Sequence, residues 1–174
     1  MMYKATELIA KTFDDRGVKY RVTEVGDASL AEAGFAIDAG PDVVVRFISK
    51  DDDNDVAVRV FGLIHHIPAS KKLAMMEACN VLSEKVRFFK FYLNSDSNVN
   101  VEADLPVQTD DECVGECCFE LFVRIMSILN NEYHNLAEAL YGNKTEDKNK
   151  PLKILQALKE LRDTPFVLNN EESA

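Results

Sequence analysis

The sequence predicts an α+β domain: a two-layer sandwich of a mainly antiparallel five-stranded sheet and helices, in the order α-β-β-β-α-β-β-α, with a further C-terminal helix. Three observations lead there. Two pairs of segments rich in β-branched and aromatic residues flank the polar stretches Lys50 to Asn54 and Asn94 to Asn98, the pattern of hairpins. Apolar residues recur at helical spacing in separate segments before, between and after those pairs. Hairpins make neighbouring strands antiparallel, and helices segregated from runs of strands favour two layers over a parallel sheet.

From Ala5 to Arg16, Leu8, Ile9 and Phe13 form an apolar stripe while Glu7, Lys11, Asp14 and Asp15 face away, and Gly17 stops the helix. Val18, Tyr20 and Val22 alternate with Lys19, Arg21 and Thr23, giving a strand with one buried face. Gly26 to Pro41, rich in Ala, Asp and Gly, reads as an irregular connection or edge strand. Val43 to Ser49 and Asp55 to Ile64 are the second and third strands. After Pro68, Leu73, Met76, Cys79 and Leu82 mark the apolar side of a helix reaching about Lys85. Phe88 to Leu93 and Val99 to Leu105 form the second hairpin, which Pro106 closes. Thr109 with Glu112 makes a capping box, with Asp110 and Asp111 in the first turn of a helix. The stripe Val114, Cys117, Cys118, Leu121, Phe122, Ile125, Leu129, Tyr133, Leu136 and Leu140 carries that helix to Gly142 and should cover the sheet.

The length of 174 residues fits one domain, here 1–142, and an appendage, 143–174, read as a polar linker, a short amphipathic helix with Leu152, Leu155, Leu158 and Leu161, and a frayed tail. Thirty acidic against twenty basic residues give a net charge of −10, which argues against nucleic acid and anionic membrane surfaces as partners. No apolar run approaches the ~20 residues needed to cross a bilayer. Met1 to Phe13 carries Lys4, Glu7 and Lys11 among its apolar residues, unlike a secretory signal, so a cytoplasmic location is expected, with Cys79, Cys113, Cys117 and Cys118 as free thiols.

The stretch Val43 to Pro68, the phrase RFFKFYLNSDSNVNVEADLP at Arg87 to Pro106 and CFELFVRIMSILNNEYHNLAEALYG at Cys118 to Gly142 resemble the bacterial YbjN-domain family. ATELIAKTFDDRGVKY resembles the family's usual opening, so the resemblance covers about Ala5 to Gly142. It implies a fold similar to type III secretion chaperones. It also implies a homodimeric, protein-binding module without catalysis, of the kind described as a sensory transduction regulator. Gly26 to Pro41 and Asn143 to Ala174 depart from the family's pattern.

Sites of chemistry are weak. Asp51, Asp53 and Asp55 match the first calcium-loop spacings, but Val56 stands where Gly is needed and Gly62 where Glu is needed, so a solvated turn is the better reading. His65 and His66, adjacent at a strand end, point to opposite faces. Cys113 and Cys117 are one helical turn apart and could approach a common ion, yet read better as small apolar residues. A nucleophilic cysteine would need His66 or His134 brought alongside. Glu116 and Glu120, one turn apart, suit a solvated helix face. Neither common phosphate-cradling glycine motif is present, and no cofactor is expected.

Phe88 to Leu93 is more informative, being apolar on both faces: Phe88, Lys90 and Tyr92 on one side, Phe89, Phe91 and Leu93 on the other. One face meets the helices, so Phe88, Lys90 and Tyr92 are the candidate protein-binding residues, covered by another chain, a bound peptide or the tail segment Leu152 to Leu161. The expectation is a non-enzymatic protein-binding module, chaperone-like or regulatory and homodimeric by the resemblance; the alternative is a metal-dependent or cysteine-based enzyme or regulator using Cys113, Cys117, His65 or His134.

Overall fold

The computed structural model describes residues 2–38, 40–50, 55–106 and 112–142. The chain divides into Met1–Tyr141 and Gly142–Ala174, and the described elements all belong to the first unit. Asp51 and Asp53, the Thr109 capping box with Asp110 and Asp111, and Leu152 to Leu161 lie outside the described residues.

The elements run α1 (Lys4–Asp15), β1 (Tyr20–Val25), β2 (Ala28–Ala36), β3 (Asp42–Lys50), β4 (Val56–Ile64), a 3-10 turn (Ala69–Lys71), α2 (Lys72–Lys85), β5 (Lys90–Leu93), β6 (Val99–Leu105) and α3 (Val114–Tyr141). The architecture is α+β with one antiparallel sheet, but of six strands rather than five, ordered β1-β2-β3-β4-β6-β5. The added strand is β2, in the stretch Gly26 to Pro41. A two-residue Gly26–Asp27 turn joins it to β1, with Gly26 at φ +60, the left-handed conformation such tight hairpins require. Its residues are small because α1 lies directly on them. Ser29, Ala31 and Ala33 face the helix, and Thr6 Oγ1 sits 2.7 Å from Ser29 Oγ and 3.2 Å from Ser49 Oγ, a buried hydroxyl cluster that satisfies its own polar atoms.

Helix α1 buries Ala5, Ile9 and Phe13 and stops as its sequence predicts. Gly17 takes φ +67, its N–H reaches the Asp14 carbonyl, and the Val18 N–H reaches the Phe13 carbonyl at 2.8 Å, completing a Schellman cap. Helix α2 corrects the expected stripe: Met75, Cys79 and Leu82 are buried, whereas Leu73 is 71% exposed and Met76 also faces out. A strict three-residue repeat slips about 60° per step against the 3.6-residue turn, so Leu73 and Leu82 end on opposite sides. The 75, 79, 82 spacing stays on one face. In α3 the predicted stripe holds at Val114, Cys118, Leu121, Phe122, Ile125, Leu129 and Leu136, with Cys117, Tyr133 and Leu140 half-buried.

All three helices pack on one side of the sheet, α3 between α1 and α2. Strand β5, at one sheet edge, turns Phe91 inward and uses Ser83 of α2 to satisfy the outward backbone groups: the Phe91 N–H donates to Ser83 Oγ at 2.8 Å, and the Ser83 hydroxyl donates to the Phe91 carbonyl. That stopper blunts an edge that could otherwise pair with another strand.

Candidate functional site

Alternation along the strands fixes what each face offers. Ser29, Ala31 and Ala33 of β2 and Val43, Val45, Phe47 and Ser49 of β3 point into the helix layer, so their neighbours point away from it. Register then assembles one row across that outer face through all six strands: Arg21, Glu32, Arg46, Arg59, Glu102 and Lys90 are successive cross-strand partners. The row holds four cations and two carboxylates. At its β5 end, Lys90 borders a pocket with Met76, Asn80 and Glu84 of α2.

The row is internally organised. Glu32 is buried because two arginines close over it. Arg21 approaches Oε2 at 2.5 and 2.9 Å, and Arg46 Nε approaches Oε1 at 2.7 Å. The Arg46 guanidinium also stands 5.5 Å from the ring centroid of Phe61, which is 50% exposed, and Val44 is exposed on the same face. Arg59, directly opposite Arg46, is held the other way by Asp104 at 2.6 Å and by the Val58 and Ala103 carbonyls at 2.9 and 2.8 Å. Two like charges face each other at the centre of the sheet, each tied to its own counter-charge.

Burial pushes the Glu32 carboxyl upward, but the hydrogen bonds and charges of Arg21 and Arg46 outweigh it and hold the group below the usual carboxylate range. Its contribution to stability is therefore full above the unfolded carboxyl's pKa of about 4.3 and is lost as pH falls through the lower folded value. Glu32→Gln should cost about 1–2 kcal/mol at pH 7, the range for a lost charged hydrogen bond discounted for the exposure of Arg21. Urea denaturation of both proteins should show that gap narrowing at acid pH; a constant gap would mean that packing, not charge, holds Glu32.

The sequence-derived candidates divide. Lys90 and Tyr92 lie on the outer face, Lys90 opposite Glu102 and Tyr92 opposite Asn100. Phe88 does not. Strand β5 begins only at Lys90, and Phe88 precedes it with a left-handed φ of 72°, leaving Phe89 to enter the core. The Phe88 ring, 63% exposed, sits instead beside α3 with the Arg124 guanidinium 5.8 Å from its centroid. The two then border a groove of about 330 Å³ with Leu105, Cys117 and Leu121. The strand's alternation does not extend back through the turn that holds Phe88. Arg46, Arg59, Glu32 and Phe61 were not singled out, although VVVRFI and VAVRVF each place one arginine at an outward position of an otherwise apolar strand.

Of the residues of the catalytic alternative, Cys113 and Cys117 lie together, with their Sγ atoms 3.9 Å apart, but His134 stands away from them. Cys117 and His134 share α3 seventeen positions apart, about 25 Å at 1.5 Å per residue. His65 and His66 lie beyond β4 with rings 6.0 Å apart, so strand alternation does not separate them as expected. Burial pushes the Cys79 thiol up to about 11 and also raises that of Cys118, which makes both poor nucleophiles. Among the described residues no three His, Cys, Asp or Glu side chains are placed to share a metal ion, and no helix is long and apolar enough to cross a membrane.

No protein-family model and no curated protein matches the chain. The resemblance to the YbjN-domain family rests on the quoted segments alone.

Proposed function

We propose that the chain is a non-enzymatic protein-binding module, chaperone-like or regulatory, that receives a partner segment on the outer face of its sheet. The observation that carries this reading is the exposed pair Phe61 and Val44 set beside Arg46 and Arg59, on a sheet whose opposite face is already filled by three helices. Aromatic and arginine side chains at the centre of a patch are the usual anchors of protein interfaces. The α+β architecture with an antiparallel sheet is compatible with the chaperone-like fold implied by the YbjN resemblance, with β2 as a strand beyond the expected five.

Charge defines the partner. The outward positions of the strands carry five cations, Arg21, Arg46, Lys50, Arg59 and Lys90, against four carboxylates, Glu32, Asp42, Glu102 and Asp104, a surplus of one. The remaining fifteen basic and twenty-six acidic residues carry a deficit of eleven. The face is the basic side of an acidic molecule and suits a segment with carboxylates beside apolar residues. A second copy suits it less well. The row reads plus, minus, plus, plus, minus, plus, so either aligned twofold stacking of two such faces sets cation on cation at Arg46 and Arg59.

Selection of a displayed random-peptide library on the purified chain tests this. Enriched peptides should combine Asp or Glu with aromatic or aliphatic residues and lose at least tenfold in affinity, about 1.4 kcal/mol, on Phe61→Ala or Arg46→Ala. The thermal midpoint of Phe61→Ala should stay within a few degrees of wild type. Enrichment indifferent to both substitutions, or light scattering that reports a dimer dissociated by Phe61→Ala, would refute it.

A further inference from the structure

Cys113 stands immediately before α3, and its carbonyl accepts the Cys117 N–H at 2.9 Å, so the two residues span the first helical turn. Their Sγ atoms lie 3.9 Å apart. Cys113 is exposed and Cys117 half-buried, whereas Cys79 and Cys118 are buried. One accessible pair of thiols is thus segregated from two shielded ones.

A disulfide needs an S–S distance of about 2.05 Å and a Cα separation of about 4.4–6.8 Å. Positions one helical turn apart, about 6 Å between Cα atoms, satisfy the second condition. The first requires the sulfurs to close by about 1.9 Å. Rotation of the Cys113 and Cys117 side chains about χ1 can supply that movement, Cys113 standing just before the helix. The ring so formed spans only five residues, so loop closure contributes little stability and the bond is easily reduced again.

We propose that Cys113 and Cys117 form a reversible redox-modification site that exchanges with a small-molecule disulfide of the glutathione class. The Cys113 thiolate attacks one sulfur of oxidised glutathione, forming a mixed disulfide and releasing one glutathione thiolate, which takes up a proton. The Cys117 thiolate then attacks the Cys113 sulfur, forming the internal disulfide and expelling the second glutathione. Two protein thiols are oxidised and one glutathione disulfide is reduced to two glutathione molecules. Closure draws the Cys117 sulfur toward Cys113 and changes the wall it gives to the groove of Phe88, Leu121 and Arg124. This site is independent of the outer sheet face.

The test uses the full reduced chain, equilibrated without oxygen in mixtures of oxidised and reduced glutathione, quenched with acid, alkylated in denaturant and weighed intact. Wild type should lose two of its four thiols and two hydrogen masses, and recover both in excess reduced glutathione. Cys113→Ser and Cys117→Ser should abolish the internal bond and leave at most a single mixed disulfide. Cys79→Ala and Cys118→Ala should leave the bond unchanged, with circular dichroism confirming that each variant is folded. A wild-type chain that stops at glutathione adducts, stays fully reduced under oxidising mixtures, or loses its cross-link on Cys118→Ala would overturn the proposal.

Discussion

Phe13→Ala is expected to destabilise the domain by about 3–5 kcal/mol, the cost of emptying a fully buried aromatic position. The Phe13 side chain is completely inaccessible, and its ring meets Tyr20 at 5.8 Å, Phe47 at 5.5 Å and Phe122 at 5.9 Å between centroids. One residue of α1 thereby joins β1, β3 and α3. Aromatic pairs add about 0.5–1.5 kcal/mol each beyond burial, and truncation removes two edge-on pairs and the tilted pair with Phe122 together. The void cannot close easily, since Phe47 is fixed on a central strand and the buried hydroxyls of Thr6, Ser29 and Ser49 hold α1 at a set height. Against a total stability of about 5–15 kcal/mol, such a loss leaves the fold marginal. Urea denaturation followed by circular dichroism measures it, with Phe61→Ala as the contrast: that ring is half exposed, and its removal should change stability by no more than about 0.5 kcal/mol. Similar losses for the two rings would deny Phe13 its central place.

Much of this arrangement could be read before any coordinates. The Phe13 stripe, the Gly17 stop and the long stripe of α3 are local patterns whose period alone reports burial, whereas the alternation at Tyr20 and Val22 locates β1 although both residues are only half-buried. Strand β2 escaped because its apolar signal is muted: a helix pressed onto Ser29, Ala31 and Ala33 requires small side chains, and small side chains carry little hydropathy. Its hairpin turn was nevertheless present as Gly26–Asp27. The outer face was legible in part. Lys90 and Tyr92 were placed on it, but the row from Arg21 to Lys90 depends on register across five strand pairs, which no single segment encodes. Phe88 failed for the opposite reason, since alternation was extended into a residue whose left-handed backbone ends it.

Gly115→Ala sets two effects of opposite sign against each other, and their sizes decide the outcome. Alanine is the better helix former by about 1 kcal/mol, so in an isolated first turn of α3 the substitution would stabilise. In the folded domain, however, a Cβ at Gly115 would stand 2.1 Å from Thr12 Oγ1, 3.0 Å from Thr12 Cβ and 2.5 Å from the Leu8 carbonyl oxygen. The Thr12 hydroxyl can rotate away; the Leu8 carbonyl, part of the α1 backbone, can only move with its helix. Separating α1 from α3 strains the contact between Phe13 and Phe122 and the Arg16–Glu116 ion pair beside it. Overpacking of this kind costs about 1–3 kcal/mol and more where backbone must shift, so the net expectation is a loss of about 2 kcal/mol despite the gain in propensity. A double-mutant cycle separates the causes. Thr12→Ala removes the hydroxyl but leaves Leu8 in place, so it should recover only part of the loss when combined with Gly115→Ala. Full recovery would mean that the side chain alone sets the helix spacing, and a more stable Gly115→Ala protein would mean that α1 can slide along α3 without disturbing the ring cluster beneath it.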